Sequence, residues 1–215
     1  MSGPSSKIDS KLALLTSAKK VFAEKGYDGA TVKDLADDAG VNVSLVSYHF
    51  GGKEGLYRAV LVQFAQTGVD MIQRILKAPT SRSDFEARLQ LFAEEFVDIH
   101  IREPDLCKII HRDVEKLTSI GEEIFRTGFF PLFLTFVQFL KSAEKSKFTR
   151  KCKDKELVAT MIIGSLAHFI ETDSRRCMLG RKSIRDPKVR AEVINTWADM
   201  TFASLGTRPN NVQES

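Results

Sequence analysis

Phe85, Leu89, Phe92, Phe96 and Ile99 recur at steps of four, three, four and three. That spacing returns to one face of a helix of 3.6 residues per turn, whereas a strand repeats every two. The same rhythm runs through nearly every patterned segment, and no stretch alternates apolar and polar residues in the manner of a half-buried strand. The chain is therefore expected to be all-α. Its 215 residues, 43% of them hydrophobic, suffice for one sizeable domain or two modest ones.

The stops and starts divide the chain. Leu15, Ala18 and Phe22 mark a first helix over residues 8–25, closed by Gly26. Thr31, with Asp34 three residues on, has the pattern of a capping box and opens a short helix over 32–39. Gly40 ends it, a second short helix follows over 43–50, and Gly51 and Gly52 end that one. Lys53 begins a longer helix reaching about residue 79. Beyond the Phe85 stripe, Pro104 suits a first helical position. A very apolar helix is expected over 129–141, a lysine-rich loop over 142–155, and two last helices over 154–178 and 187–205. The expected domains are 1–53, a connecting helix 54–79, a C-terminal helical domain 80–207, and a disordered tail 208–215.

Charge and cysteines bound the setting. A net charge of +4 permits a polyanionic partner without demanding one. Three widely spaced cysteines, Cys107, Cys152 and Cys177, make a disulfide framework unexpected. No apolar leader is evident, and the apolar stretches read as far shorter than the ~18 residues of a membrane span. A soluble, cytoplasmic protein is expected.

The short pair of helices carries the functional signal. A helix that reads DNA must enter the major groove at a fixed angle and expose short polar or small apolar groups. Val41 and Val46 can fill the interior behind the second helix, leaving Asn42, Ser44, Leu45, Ser47 and Tyr48 for its outer face. Residues 39–52 contain no Asp or Glu, as a surface facing phosphate requires.

The stretch ALLTSAKKVFAEKGYDGATVKDLADDAGVNVSLVSYHFGGKEGLYRAV resembles the DNA-binding domain of the TetR family of bacterial transcriptional regulators. The likeness lies in an apolar first helix ending F-x-x-x-G, a Thr cap, an L-A-x-x-A-G-V core and an aromatic ending before Lys53. It implies an N-terminal three-helix helix-turn-helix domain and a larger C-terminal helical domain for ligand binding and dimerisation. By resemblance, Thr31 and Lys33 contact phosphate, and Asn42, Val43, Ser44 and Leu45 lie against base edges. Tyr48 and His49 contact the backbone, and Lys53 a flanking phosphate. Ser47 stands where many members have Tyr, so that contact falls to a shorter side chain able to reach phosphate.

The resemblance further implies a homodimer on double-stranded DNA, most often a repressor released by a small-molecule effector. The wide apolar coverage of the last two helices suits dimerisation, with Met161, Ile162, Ser165, Phe169, Val193, Trp197 and Met200 as interface candidates. Phe92, Phe96, His100, Cys107, His111, Phe129, Phe133 and His168 are candidates for a ligand pocket, although an aromatic stripe is more often plain core. Cys107 and His111 sit one turn apart without an evident third metal ligand. No nucleophile motif, glycine-rich phosphate loop or H-E-x-x-H is present, so neither catalysis, metal nor cofactor is expected.

Overall fold

A computed structural model describes residues 4–116 and 119–207, with side chains over 9–112 and 120–207. The tail expected over 208–215 lies outside the described residues. Among those described, the chain forms eleven α-helices and one π-helical turn, and no strand. The helices are α1 (Pro4–Gly29), α2 (Val32–Ala39), α3 (Ser44–Phe50), α4 (Lys53–Ile75), α5 (Arg82–Arg102), α6 (Pro104–Lys116), α7 (Ser119–Ile124), α8 (Phe130–Lys145), α9 (Lys155–Glu171), α10 (Asp173–Met178) and α11 (Pro187–Leu205). The π turn, Phe125–Phe129, joins α7 to α8.

The all-helical expectation holds, and so do most boundaries. The helix expected over 154–178 is two, because the chain turns at Thr172 between α9 and α10. Asp154 caps α9 by accepting from the Leu157 amide at 2.9 Å. The loop expected from residue 142 starts later, since α8 runs to Lys145. One expectation needs correction. Because the π turn splices α7 to α8, Ile120–Lys145 is long and apolar enough to cross a membrane by length and composition, with 28% of its most apolar window buried. Phe136, Val137, Phe139, Leu140 and Ala143 of this segment are core residues, whereas Phe125, Phe130 and Leu134 are exposed.

The chain divides into two compact units, Met1–Val69 with Glu103–Phe130, and Asp70–Arg102 with Pro131–Ser215. In the first, Leu14, Ala18 and Phe22 of α1 pack with Leu35 of α2, Val46 of α3 and Leu56, Tyr57 and Val60 of α4, all essentially buried. Leu106 and Ile109 of α6 and Ile120 and Ile124 of α7 complete this core. In the second, Phe85, Leu89 and Phe92 turn inward as the spacing predicts. Phe85 stacks on Phe139 at 5.1 Å, and Phe92 meets Phe136 at 4.9 Å. Each such buried ring contributes about 1.5–3 kcal/mol relative to leaving it in water.

Candidate nucleic-acid interface

The reading helix is held at both ends. Thr31 caps α2 in a complete capping box. Its hydroxyl oxygen accepts from the Asp34 amide at 3.0 Å, while its own amide donates to Asp34 Oδ2 at 2.9 Å. Gly40, with φ +65°, takes the left-handed conformation that closes α2 at little steric cost. Asn42 Oδ1 then accepts from both the amide and the hydroxyl of Ser44, at 2.9 and 2.8 Å, and so starts α3. Gly51 closes α3, its amide donating to Ser47 at 2.9 Å. The next helix presses directly on this end, for Gly55 of α4 lies against the Phe50 carbonyl.

Asn42, Val43, Ser44, Ser47 and Tyr48 form an exposed strip, with Val43 at 50% and Tyr48 at 64% exposure. Val46, completely buried, anchors the opposite side. Leu45 is half-buried and packs against the core of this unit. The strip offers the Asn42 amide NH₂, the Val43 methyls and the hydroxyl oxygens of Ser44, Ser47 and Tyr48. These are the hydrogen-bonding and apolar groups by which base edges, thymine methyls and phosphates are contacted.

Two of the acids that precede the strip are held by lysines of α1. Asp34 pairs with Lys25 at 2.7 Å, and Asp38 pairs with Lys20. The Lys25 ammonium and then the Thr31 donors hold the Asp34 carboxyl far below the usual carboxylate range, and Lys20 lowers that of Asp38.

Several expected phosphate contacts have intramolecular partners as well. The amide and hydroxyl hydrogens of Thr31 both go to Asp34. Lys53 donates to the carbonyls of Tyr27 and Ala30 at 2.9 and 3.0 Å and lies 4.4 Å from the Tyr27 ring centre. An ammonium has three hydrogens, so one remains for an outside acceptor. His49 is half-buried, with Nε2 3.0 Å from Ser10 Oγ. Lys33 is exposed. Neither the Lys53 tie nor the Ser10–His49 bond was legible in the sequence, because each joins residues 23 or more positions apart.

Residues 14–60 match the family model for bacterial regulatory proteins of the tetR family. This segment is similar to the DNA-binding domain of that family. Likeness to known regulators extends past the matched segment. YttP of Bacillus subtilis, described as a probable HTH-type transcriptional regulator, is 26% identical over 141 residues, which cover 66% of this chain and 68% of YttP. The HTH-type transcriptional repressor KstR2 of Mycolicibacterium smegmatis is 33% identical over 118 residues, 55% of this chain and only 54% of KstR2. The solved structure of the fatty acid degradation regulator FadR from Bacillus halodurans superposes with a TM-score of 0.70 at 18% identity, over 97% of this chain and all of FadR. At that identity the superposition shows a shared fold. The fold is thus that of TetR-family regulators, an N-terminal helix-turn-helix followed by a helical domain.

All seven interface candidates come together. Met161, Ile162, Ser165 and Phe169 of α9 and Val193, Trp197 and Met200 of α11 line one surface groove of about 740 Å³. Ile162 and Trp197 are its buried floor, tied by Trp197 Nε1 donating to the Ile162 carbonyl at 3.0 Å. Met161 and Met200 stand on its rim, 67% and 68% exposed.

The eight pocket candidates divide between the units. Phe92, Phe96, His100, Phe133 and His168 belong to the second, and Cys107, His111 and Phe129 to the first. Phe92 is core, and the Phe96 ring lies 4.4 Å from that of His100. The His100 Nδ1–H donates to the Phe96 carbonyl at 2.7 Å. Phe133 is half-buried and His168 exposed. Burial pushes the Cys107 thiol up to about 12. Among the described residues no group of three or more His, Cys, Asp and Glu is placed to hold a metal ion.

Proposed function

We propose that this protein is a sequence-specific DNA-binding transcriptional repressor that works as a homodimer in the cytoplasm and acts by binding rather than catalysis. The observation that carries the reading is the exposed, acid-free strip of Asn42, Val43, Ser44, Ser47 and Tyr48 on a helix fixed at both ends. Asn42, Val43 and Ser44 face base edges, while Leu45, expected among them, packs against the core instead. Ser47, Tyr48, His49, Lys33, Thr31 and Lys53 face the backbone, Lys53 through its remaining hydrogen. The repressors among its relatives favour repression.

A second copy covers the groove between α9 and α11. Exposed methionines around a tryptophan floor are costly to leave in water, and a two-fold partner removes them from it. Dimerisation also sets two reading helices on successive major grooves, about 34–36 Å apart. A small-molecule effector, bound among the aromatic and histidine side chains of the C-terminal region, shifts the population toward a form whose two heads no longer match the operator.

The test is selection of duplexes from a randomised pool by the intact protein, followed by binding measurements on the selected duplex. Ser44→Asp, which places a carboxylate against the bases, is expected to abolish binding, and Tyr48→Ala to weaken it. Wild-type affinity in both variants refutes the site. Met161→Glu combined with Met200→Glu is expected to give monomers in sedimentation velocity. A persistent dimer would place the interface elsewhere.

A further inference from the structure

The contacts made by the start of α1 are unused by the reading above. Ser10 Oγ lies 3.0 Å from His49 Nε2 at the end of α3, and the next residue, Lys11, carries its ammonium to 6.0 Å from the Phe50 ring centre. Consecutive residues of α1 thus meet consecutive residues of α3, and the two helix ends share an edge. Lys11 is exposed. The other α1 lysines described near it are committed, Lys19 to Glu103 at 3.0 Å and Lys20 to Asp38. Among the described residues Lys11 forms no ion pair. Asp9, also exposed, is the nearest carboxylate in sequence, and α3 brings none.

We propose that the start of α1 extends the α3 surface into a second contact with the DNA backbone, in which Lys11 binds phosphate and Ser10 positions His49. The inference rests on the DNA-binding reading and adds residues to it. Phosphate is the ligand because the group is an exposed cation on a long stem, without an ion pair among the described residues, beside a helix whose exposed side chains are uncharged. Such a contact carries no sequence information, so its loss weakens every duplex alike. Each phosphate neutralised adds about 0.9 to the slope of log affinity against log salt.

The experiment uses the intact protein with two probes, the selected duplex and a mixed-sequence duplex, titrated over a range of KCl. Lys11→Ala is expected to weaken both several-fold at low salt and to reduce the slope by about 0.9 for each protomer bound, about 1.8 for the dimer. Lys11→Arg is expected to restore the slope, which a fold defect would not allow. Ser10→Ala is expected to lower affinity while keeping the slope, with Ser10→Thr restoring it. Lys188→Ala on α11 is the control. A Lys11→Ala protein with wild-type slope and affinity overturns the proposal, and so does a loss confined to the selected duplex. Failure of the wild-type protein to bind either duplex would overturn the DNA-binding reading as well.

Discussion

A Cβ placed on Gly55 would lie 1.7 Å from the carbonyl oxygen of Phe50. The first turn of α4 therefore presses on the last turn of α3 more closely than any side chain permits. The obstacle is backbone, which cannot swing aside. Alanine is normally the better helix former by about 1 kcal/mol. Here Gly55→Ala is expected to destabilise the head by about 1–3 kcal/mol through overpacking. A denaturant titration decides between the two effects. A higher unfolding midpoint for Gly55→Ala would show that the close approach relaxes freely.

Arg112 of α6 donates to the carbonyls of Phe22 and Ala23 at 2.9 and 3.3 Å, just before Gly26 interrupts α1. A cation there meets the negative end of the helix. Burial lowers the guanidinium pKa, yet an arginine keeps its charge at any working pH. Arg112→Met keeps much of the volume and removes the donors. We expect a loss of about 1.5–3 kcal/mol, the range for hydrogen bonds to charged groups. Amide hydrogen exchange over residues 22–30 should accelerate, whereas unchanged protection would mean that α1 holds its own end.

Asp34 makes the head sensitive to acid. Its folded-state pKa is depressed first by Lys25 and then by Thr31, and in the unfolded chain it returns to about 3.9. The associated stability is complete above the unfolded value and is lost as pH falls through the folded one. Asp34→Asn should therefore flatten the acid limb of stability against pH and leave its alkaline side alone. Thr31→Ala, which removes the side-chain cap, is expected to cost about 1 kcal/mol near neutrality. Urea titrations across the acid range test both, and an unaltered acid limb in Asp34→Asn would be the contrary result.

The three cysteines should separate by reactivity. Cys177 is exposed, Cys152 half-buried and Cys107 buried. Burial and then the charge of Glu103 raise the Cys107 thiol to about 12, so almost none is thiolate at neutral pH. A native thiol titration is expected to show one fast group, abolished by Cys177→Ser, and full reaction only on unfolding. Fast labelling of Cys107 in the native protein would contradict its buried position.

The helical class, the capping box at Thr31, the glycine stops at Gly40 and Gly51, and most of the outer face of α3 were legible in the sequence. These depend on neighbours within a turn or two, where spacing and backbone preference suffice, although Leu45, read as part of that outer face, packs against the core. The seven residues from Met161 to Met200 were legible as an apolar face for a similar reason, and folding gathered them into one groove. Only the tertiary structure decided how Gly55 meets Phe50, how Arg112 reaches α1 from about 90 residues away, and how Ser10 and Lys11 come to lie against His49 and Phe50. It also decided that Lys53 is tied to the carbonyls of Tyr27 and Ala30. A long side chain finds its partner among groups that packing brings near, and nothing in the local pattern of a lysine or arginine records which carbonyl that will be.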